Sequence, residues 1–387
     1  MAIDSAIRRA ETGSRAGGDG FASLVHAADW YDRWLRTQAF PLWWEAGADR
    51  QRGGFFEGLS IEGQPRPAPR RARVQGRQAF VYATAGLLGW DGPWREAAWH
   101  GMDFFLDRFA RPDGLFRTLV GPDGEVLDDT AMLYDQAFAL LGTATLHQAD
   151  PRGGELAQVA RDVREGLEAM RHPAGGYREN IAHPFQANAH MHLLEGAMAW
   201  AELVGGDWEA MVDEIVEMAL SVFIDPKGGF LREFFDAEWR LADGDDGRLV
   251  EPGHQFEWAW LMDRHAKRRG DPRAAKAALG LYAAGRRGVD PARGVAVNEL
   301  WDDFSPRDAT ARLWPQTEHL KATLLFDGEA ASLAAAQALR RYLDTPTPGA
   351  WRDKLRADGT FVEEPAPATS FYHILGACLE LFKVTGR

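Results

Sequence analysis

The chain is 387 residues long, 45% hydrophobic and 26% charged, an ordinary composition for a folded globular protein. A formal net charge of −13 opposes binding to a polyanion, so no nucleic-acid partner is expected. No apolar run approaches the ~20 residues of a membrane helix, so no membrane partner is expected, and Cys378 as sole cysteine excludes an internal disulfide or a Cys-based zinc site.

Residues 1–20 are polar and glycine-rich, with Arg8, Arg9 and Arg15 and no apolar stretch behind them to act as the core of a signal peptide. They read as a disordered or loosely attached tail on a cytoplasmic protein. Past this tail no internal linker is visible, so residues 21–387 are expected to form a single catalytic domain.

One short pattern recurs along the chain. A glycine-containing turn is followed by an aromatic or aliphatic residue, often with a charged residue close behind. It reads "GGFFEGL" at Gly53, "DGLFRTL" at Asp113, "GGYREN" at Gly175, "GGFLREF" at Gly228, "RGVAVNEL" at Arg293 and "DGTFVEE" at Asp358. The fifth copy is the weakest. Between the copies lie segments such as "RQAFVYATAGLLG", "NAHMHLLEGAMAWAELV" and "HQFEWAWLMDRHAKRR", with apolar residues at helical spacing. Several are apolar around most of their circumference, as helices buried on both sides are. Each unit reads as a helical hairpin ending in a short turn or strand. Six of them suit an all-α (α/α)6 barrel, a toroid of inner and outer helices with short strands or turns at one end. An open α-solenoid is the alternative, disfavoured by the dissimilarity of the units. In a toroid, polar residues at one end of the inner helices converge on a central pocket.

The candidates for that pocket follow in chain order. "RRARVQGRQAFVYA" offers Arg73, Gln75 and Arg77, and "MLYDQAF" offers Tyr134, Asp135 and Gln136. In "NAHMHLLEG", Asn188, His192 and Glu195 share a helix face and His190 points elsewhere. "GHQFEWAWLM" repeats the His-x-x-Glu spacing with His254 and Glu257, and Trp258 and Leu261 are expected on the same side. "RLWPQTEHLKA" places Trp314, Gln316, Glu318, His319 and Lys321 around a helix start, and "ATSFYHILG" places His373 at the start of the last helix. Any lone buried histidine is more often a hydrogen-bonded core residue than a functional one, and a His-x-x-Glu pair can simply satisfy itself.

The His-Glu-x-x-His string of zinc hydrolases is absent, and His-x-x-Glu reverses the Glu-x-x-His order of di-iron bundles, so no metal is expected. A glycosidase needs two opposed carboxylates, for which Asp135, Glu195 and Glu257 are candidates. Two of these acids travel with a histidine three residues away, which suits carboxylates that orient a base. Histidine, with an unperturbed pKa of about 6.5, is the natural proton carrier near neutrality.

At these residues the chain resembles the N-acylglucosamine 2-epimerase family of (α/α)6 barrels, which includes cellobiose 2-epimerases and bacterial aldose–ketose isomerases. The resemblance spans about Phe21 to Lys383 and rests on "GRQAFVYA", "NAHMHLLEG", "EPGHQFEWAWL", "RLWPQTEHLKA" and "FYHILG" taken together in this order. Their wording is closest to the mannose-6-phosphate isomerase-like branch. The resemblance implies a pocket of Arg77, Tyr134, Asn188, His192, His254, Glu257, Trp314 and His373. It implies that His254 and His373 are the acid/base pair, that His192 assists ring opening or holds the sugar, and that Arg77 binds the oxygens near C1 and C2. Glu195, Trp258 and Arg248 complete the expected substrate-binding set. Arg248 stands out of register with an arginine that some isomerases carry ahead of the Gly-His motif, and Thr369 replaces a glutamine. Lys227, Arg232 and Arg248 are the candidates to meet a phosphate.

The implied activity is a sugar isomerase that interconverts an aldose, mannose or mannose phosphate, with its ketose through a cis-enediol(ate). A 2-epimerase using the same histidines is the alternative. A glycoside hydrolase and a non-catalytic sugar-binding scaffold rank below both. His373 is expected to move the carbon-bound proton, while His254, held by Glu257, serves the oxygens. Phe256 and Trp260 are expected to pack behind the pocket. Proton transfer alone requires no metal or redox cofactor. The expected partner is a small-molecule sugar, and the expected assembly a monomer or homodimer.

Overall fold

Each glycine-containing turn of the repeat is a tight hairpin that passes the chain toward an inner helix. The computed structural model describes residues 20–179 and 182–387, so the tail expected over residues 1–20 lies outside the described residues except for Gly20. The hairpins close on antiparallel bridges at Ala48–Phe55, Ala110–Phe116, Arg171–Tyr177, Ile224–Leu231, Asp290–Val295 and Leu355–Phe361. Gly54 at φ 68° and Gly294 at φ 68° hold the left-handed turn position in the first and fifth copies. The weak fifth copy is therefore a true member of the repeat.

A second regularity lies on the helices. The backbone N–H of Phe55 donates to Gln75 Oε1, and Gln75 Nε2 donates back to the Phe55 carbonyl. Gln136 clamps Phe116, Gln255 clamps Leu231 and Gln316 clamps Ala296 in the same way. In the third unit His190 Nε2 accepts from the Tyr177 N–H instead. The buried glutamine clamps satisfy both polar groups of a backbone unit, and His190 satisfies the N–H while its Nδ1 turns to the Gln186 carbonyl. These bonds also explain why His190 turns away from the pocket.

In chain order, α1 (Leu24–Trp34) runs through a π turn into α2 (Phe40–Glu45). Then come α3 (Ala72–Leu87), α4 (Trp94–Arg108), α5 (Leu133–Ala149), α6 (Leu156–Gly166), α7 (Ala187–Val204) and α8 (Asp207–Met218). The chain continues with α9 (Pro252–Arg269), α10 (Pro272–Arg286), α11 (Leu313–Phe326), α12 (Glu329–Leu343) and α13 (Ser370–Thr385). Helices α3, α5, α7, α9, α11 and α13 touch in sequence, and α13 returns to α3, so the inner ring closes. Helix α1 packs on α13 and α12, joining the outer ring. This is the (α/α)6 barrel expected from the repeat.

The inner helices are buried nearly all round, because both the outer ring and the barrel centre cover them. The tryptophans are mainly core: Trp43 stacks on Trp351 with ring centres 4.5 Å apart. Short antiparallel strands fix the entries to inner helices. Arg70–Arg71 pairs with Leu119–Val120 just before α3, Leu249–Val250 with Leu300 and Trp301 just before α9, and Ala311–Arg312 with Lys354–Leu355 just before α11. Side chains in the first turns of the inner helices are thereby gathered at one mouth. Among the described residues, no helix is long and apolar enough to cross a membrane.

Candidate active site

A pocket of about 290 Å³ occupies that mouth, lined by Arg71, Arg73, Arg77, Tyr134, Asn188, His192, Glu251, His254, Glu257, Arg312, Trp314, Thr369, Ser370 and His373. All six inner helices or their entries contribute. His254, His373, His192, Glu257, Arg77, Tyr134, Asn188 and Trp314 thus meet as expected, although they come from distant parts of the chain.

Two imidazoles flank the indole of Trp314, with ring centres 5.1 Å away for His254 and 5.7 Å for His373. His254 Nδ1 lies 2.9 Å from Glu233 Oε2 and 3.8 Å from Glu251 Oε2. Burial disfavours charge on His254, but Glu251 and Glu233 outweigh it and raise the pKa to about 10. His254 is a cation at neutral pH. His373 Nδ1 lies 2.9 Å from Glu318 Oε1. Here burial dominates, Arg77 and Lys321 add repulsion, Glu318 only partly compensates, and the pKa falls to about 4. His373 is neutral, so its Nδ1 donates to the Glu318 carboxylate and Nε2 keeps a free lone pair. Glu318 itself is drawn down to about 2, because Lys321 and His373 overcome its burial. Two histidines in one pocket are pushed to opposite charge states, the pattern of an acid facing a base.

His192 is the third imidazole. Its ring sits edge-on to Tyr134 and beside Phe138, both with centres 4.8 Å away. Burial and the surrounding cations keep it neutral. Its Nδ1 is 3.7 Å from Glu257 Oε1, beyond hydrogen-bond range. Both Glu257 oxygens and Asn188 Oδ1 are buried without a hydrogen-bond partner. Burial and the neighbouring Glu318 push the Glu257 pKa well up, so it stays a neutral acid able to donate. Arg77 donates to the Tyr134 hydroxyl at 2.8 Å and the Thr369 carbonyl at 3.2 Å, over the face of Phe138. Among the arginines lining the pocket, Arg71, Arg73 and Arg312 each pair with a carboxylate.

Several expectations need correction. Glu257 does not hold His254; Glu233 does, because three residues along α9 carry Glu257 toward His192 and the barrel axis. Glu195 is not in the pocket: it lies beneath it and accepts from the Tyr372 hydroxyl. Trp258 is fully buried on the outer side of α9, against Phe223. Arg248 pairs with Asp302 on the surface and lies over the Trp301 ring, and Arg232 pairs with Asp225 and Asp302. Neither Lys227, Arg232 nor Arg248 lines the pocket. Phe256 packs behind as expected, against His319, but Trp260 faces a second cavity at the far end of the barrel.

The groups missed were Glu233 and Glu251, together with the role of Glu318. A signal for Glu233 was present. It is the second charged residue after the turn in "GGFLREF", behind Arg232, and its counterpart Glu179 in "GGYREN" accepts from the Leu133 and Tyr134 N–H groups at the start of α5. Among the described residues, three side-chain clusters each offer three ligand atoms within 4.8 Å: His192, Glu195 and Glu257; Glu233, Glu251 and His254; Glu257, Glu318 and His373. In the latter two the histidine Nδ1 is already engaged by a carboxylate at 2.9 Å.

Comparison with known proteins places this geometry. The sequence profile described as N-acylglucosamine 2-epimerase (GlcNAc 2-epimerase) matches residues 54–377. The chain is 46% identical over 366 residues to the mannose-6-phosphate isomerase of Rhizobium meliloti, covering 90% of this chain and 95% of that one. A solved D-mannose isomerase superimposes with a TM-score of 0.83 at 21% identity, covering 95% and 100% of the two chains. The cellobiose 2-epimerase of Bacillus thermoamylovorans does so with a TM-score of 0.83 at 17% identity, covering 92% and 98%. At those identities the two structures bear on the fold alone.

Proposed function

Because the chain belongs to the N-acylglucosamine 2-epimerase family, and so to the carbohydrate isomerases and epimerases, we propose that it is an aldose–ketose isomerase interconverting mannose or mannose phosphate with the ketose of fructose type. The observation that carries the reading is the placement of His254 and His373 on either side of Trp314, each with its Nδ1 2.9 Å from a carboxylate, in surroundings that favour a cationic His254 and a neutral His373. Once the sugar ring is open, His373 Nε2 removes the proton on C2. The C2–H electrons form the enediolate double bond as the carbonyl electrons move to oxygen. His254 supplies a proton to that oxygen, and Arg77 stabilises the developing charge. Delivery to C1 of the proton held by His373, in part exchanged with solvent, with return of the O2 proton to His254, completes the ketose. His192, Asn188 and the Glu257 acid hold sugar hydroxyls, and Trp314 offers its face to the sugar C–H groups.

A volume of about 290 Å³ lies at the lower end of small-molecule pockets, which favours a monosaccharide over a disaccharide. Asp135 is tied to Arg73, and Glu195 lies below the pocket, so neither can serve as the second carboxylate of a glycosidase. The second reading is a 2-epimerase. It is favoured by His192, whose ring centre is 6.4 Å from that of His373 and which offers another neutral imidazole to the same pocket. Proton NMR in D₂O with mannose, mannose-6-phosphate, N-acetylmannosamine and cellobiose separates the readings. A ketose from either mannose substrate supports the isomerase, and the C2 epimer supports the epimerase. Absence of both product and C2 exchange with every sugar refutes both.

A further inference from the structure

Behind the pocket, the C-terminal halves of the inner helices enclose a second cavity of about 950 Å³. Exposed Leu87, Lys267 and Lys383 stand among its lining residues, so it meets solvent at the mouth opposite the pocket. His373 borders both spaces. Between them lies a buried floor of Glu195, Glu257, Glu318, Tyr372 and Lys321. Lys321 is 3% exposed, and no step of the proposed reaction uses it directly. Its Nζ is 2.7 Å from Glu318 Oε2 and 3.7 Å from the centre of the Trp260 ring. Glu318 Oε1 holds His373 Nδ1.

We propose that Lys321 is a positioning residue that acts from the rear cavity. Its ammonium keeps Glu318 an anion, and Glu318 keeps the His373 proton on Nδ1, leaving Nε2 free to face the substrate. The proposal rests on the reading of His373 as the C2 base.

The charge arithmetic of the floor supports it. Lys321 faces three carboxyl groups, Glu318 from its own helix, Glu257 from α9 and Glu195 from α7. Burial opposes its charge, but these acids more than offset that, and it remains a cation. One ammonium cannot neutralise three carboxylates. The ion pair is made with Glu318, while Glu257 and Glu195 are both pushed toward the neutral acid by burial. The other groups around His373 are Arg77 from α3, Tyr372 from α13 and His192 from α7. Without Lys321, Glu318 protonates more readily, and a protonated Glu318 accepts from Nδ1–H only as a neutral carbonyl and can donate its own proton instead, so the tautomer is no longer fixed. His373 also loses the repulsion of a nearby cation and protonates at higher pH. The first effect frees the tautomer that leaves Nε2 as the base, and the second moves the acid limb to higher pH.

The test is Lys321→Ala assayed with and without small primary amines, which can enter through the rear mouth. The expected result is a fall in kcat of about a hundredfold and an acid limb moved to higher pH. Methylamine or ethylamine restores kcat saturably without competing with the sugar, and Lys321→Arg retains most activity. If Lys321→Ala does not fold, Lys321→Met fills the space without charge, and the shifted acid limb remains the readout. Unchanged turnover, or a loss that neither amine nor arginine restores with an unmoved acid limb, overturns the proposal. His373→Asn distinguishes the two levels: if it keeps full turnover, the reading of the base fails; if it is inactive while Lys321 is dispensable, this inference alone fails.

Discussion

Glu233 Oε2 lies 2.9 Å from His254 Nδ1, so the carboxylate that hydrogen-bonds His254 comes from the preceding turn segment and not from the same helix. Glu233 is itself buried, with its second oxygen unpaired. It acts on His254 without competing for the substrate.

Glu233→Gln is expected to lower the His254 pKa from about 10, because a major source of its elevation is removed. His254 works as the protonated form, so activity persists below its pKa and is lost as pH rises through it. The alkaline limb of kcat/KM therefore moves to lower pH, with a loss of roughly ten- to a hundredfold at neutral pH. A pH–rate profile with an unmoved alkaline limb would assign the acid role elsewhere.

Glu318→Gln acts on the other side. Without the anion, His373 binds a proton even less readily than its present value of about 4. The acid limb moves to lower pH, and kcat falls because the base is weaker. This shift is opposite in sign to the one expected for Lys321→Ala, so the two profiles together separate the effect of the Glu318 anion on His373 from that of the Lys321 cation.

Two tryptophans on adjacent inner helices separate packing from binding. Trp258→Ala opens a core cavity against Phe223 and should cost about 3–5 kcal/mol of stability, with KM little changed in the folded fraction. Trp314→Ala faces the pocket and should raise KM severalfold with a smaller loss of stability. Denaturation curves and steady-state kinetics on the same preparations decide; equal KM values for both variants would remove Trp314 from the site.

Arg248→Ala should leave kcat/KM within about twofold and stability within ~0.5 kcal/mol, since its pair with Asp302 is half exposed. A large loss confined to a phosphorylated sugar would instead return Arg248 to substrate binding.

The barrel was legible because its signals are local. Helical spacing, the recurring glycine turn and the unit length each lie within a few dozen residues, and the structure repeats them down to the left-handed Gly294 of the faintest copy. Eight of the pocket residues were also legible, since each sits in the first turns of an inner helix. The pairing of acids with histidines was not. Helical spacing says that Glu257 shares a face with His254, but not that the barrel centre draws Glu257 to His192 while Glu233 reaches in from a hairpin. The same limit applies to Trp258, which lies one position past Glu257 and for that reason points to the outer ring. Glu318 and Lys321 were visible as residues, but their function depends on the approach of α13, which no spacing within α11 reveals.

In the proposed reaction His373 carries the C2 proton. The direct measurement is deuterium entry at C2 of the productive sugar in D₂O, followed by proton NMR for wild type and His373→Asn. The variant is expected to bind the sugar but to lose both C2 exchange and turnover by about a hundredfold or more. Exchange at the wild-type rate in folded His373→Asn would contradict this role.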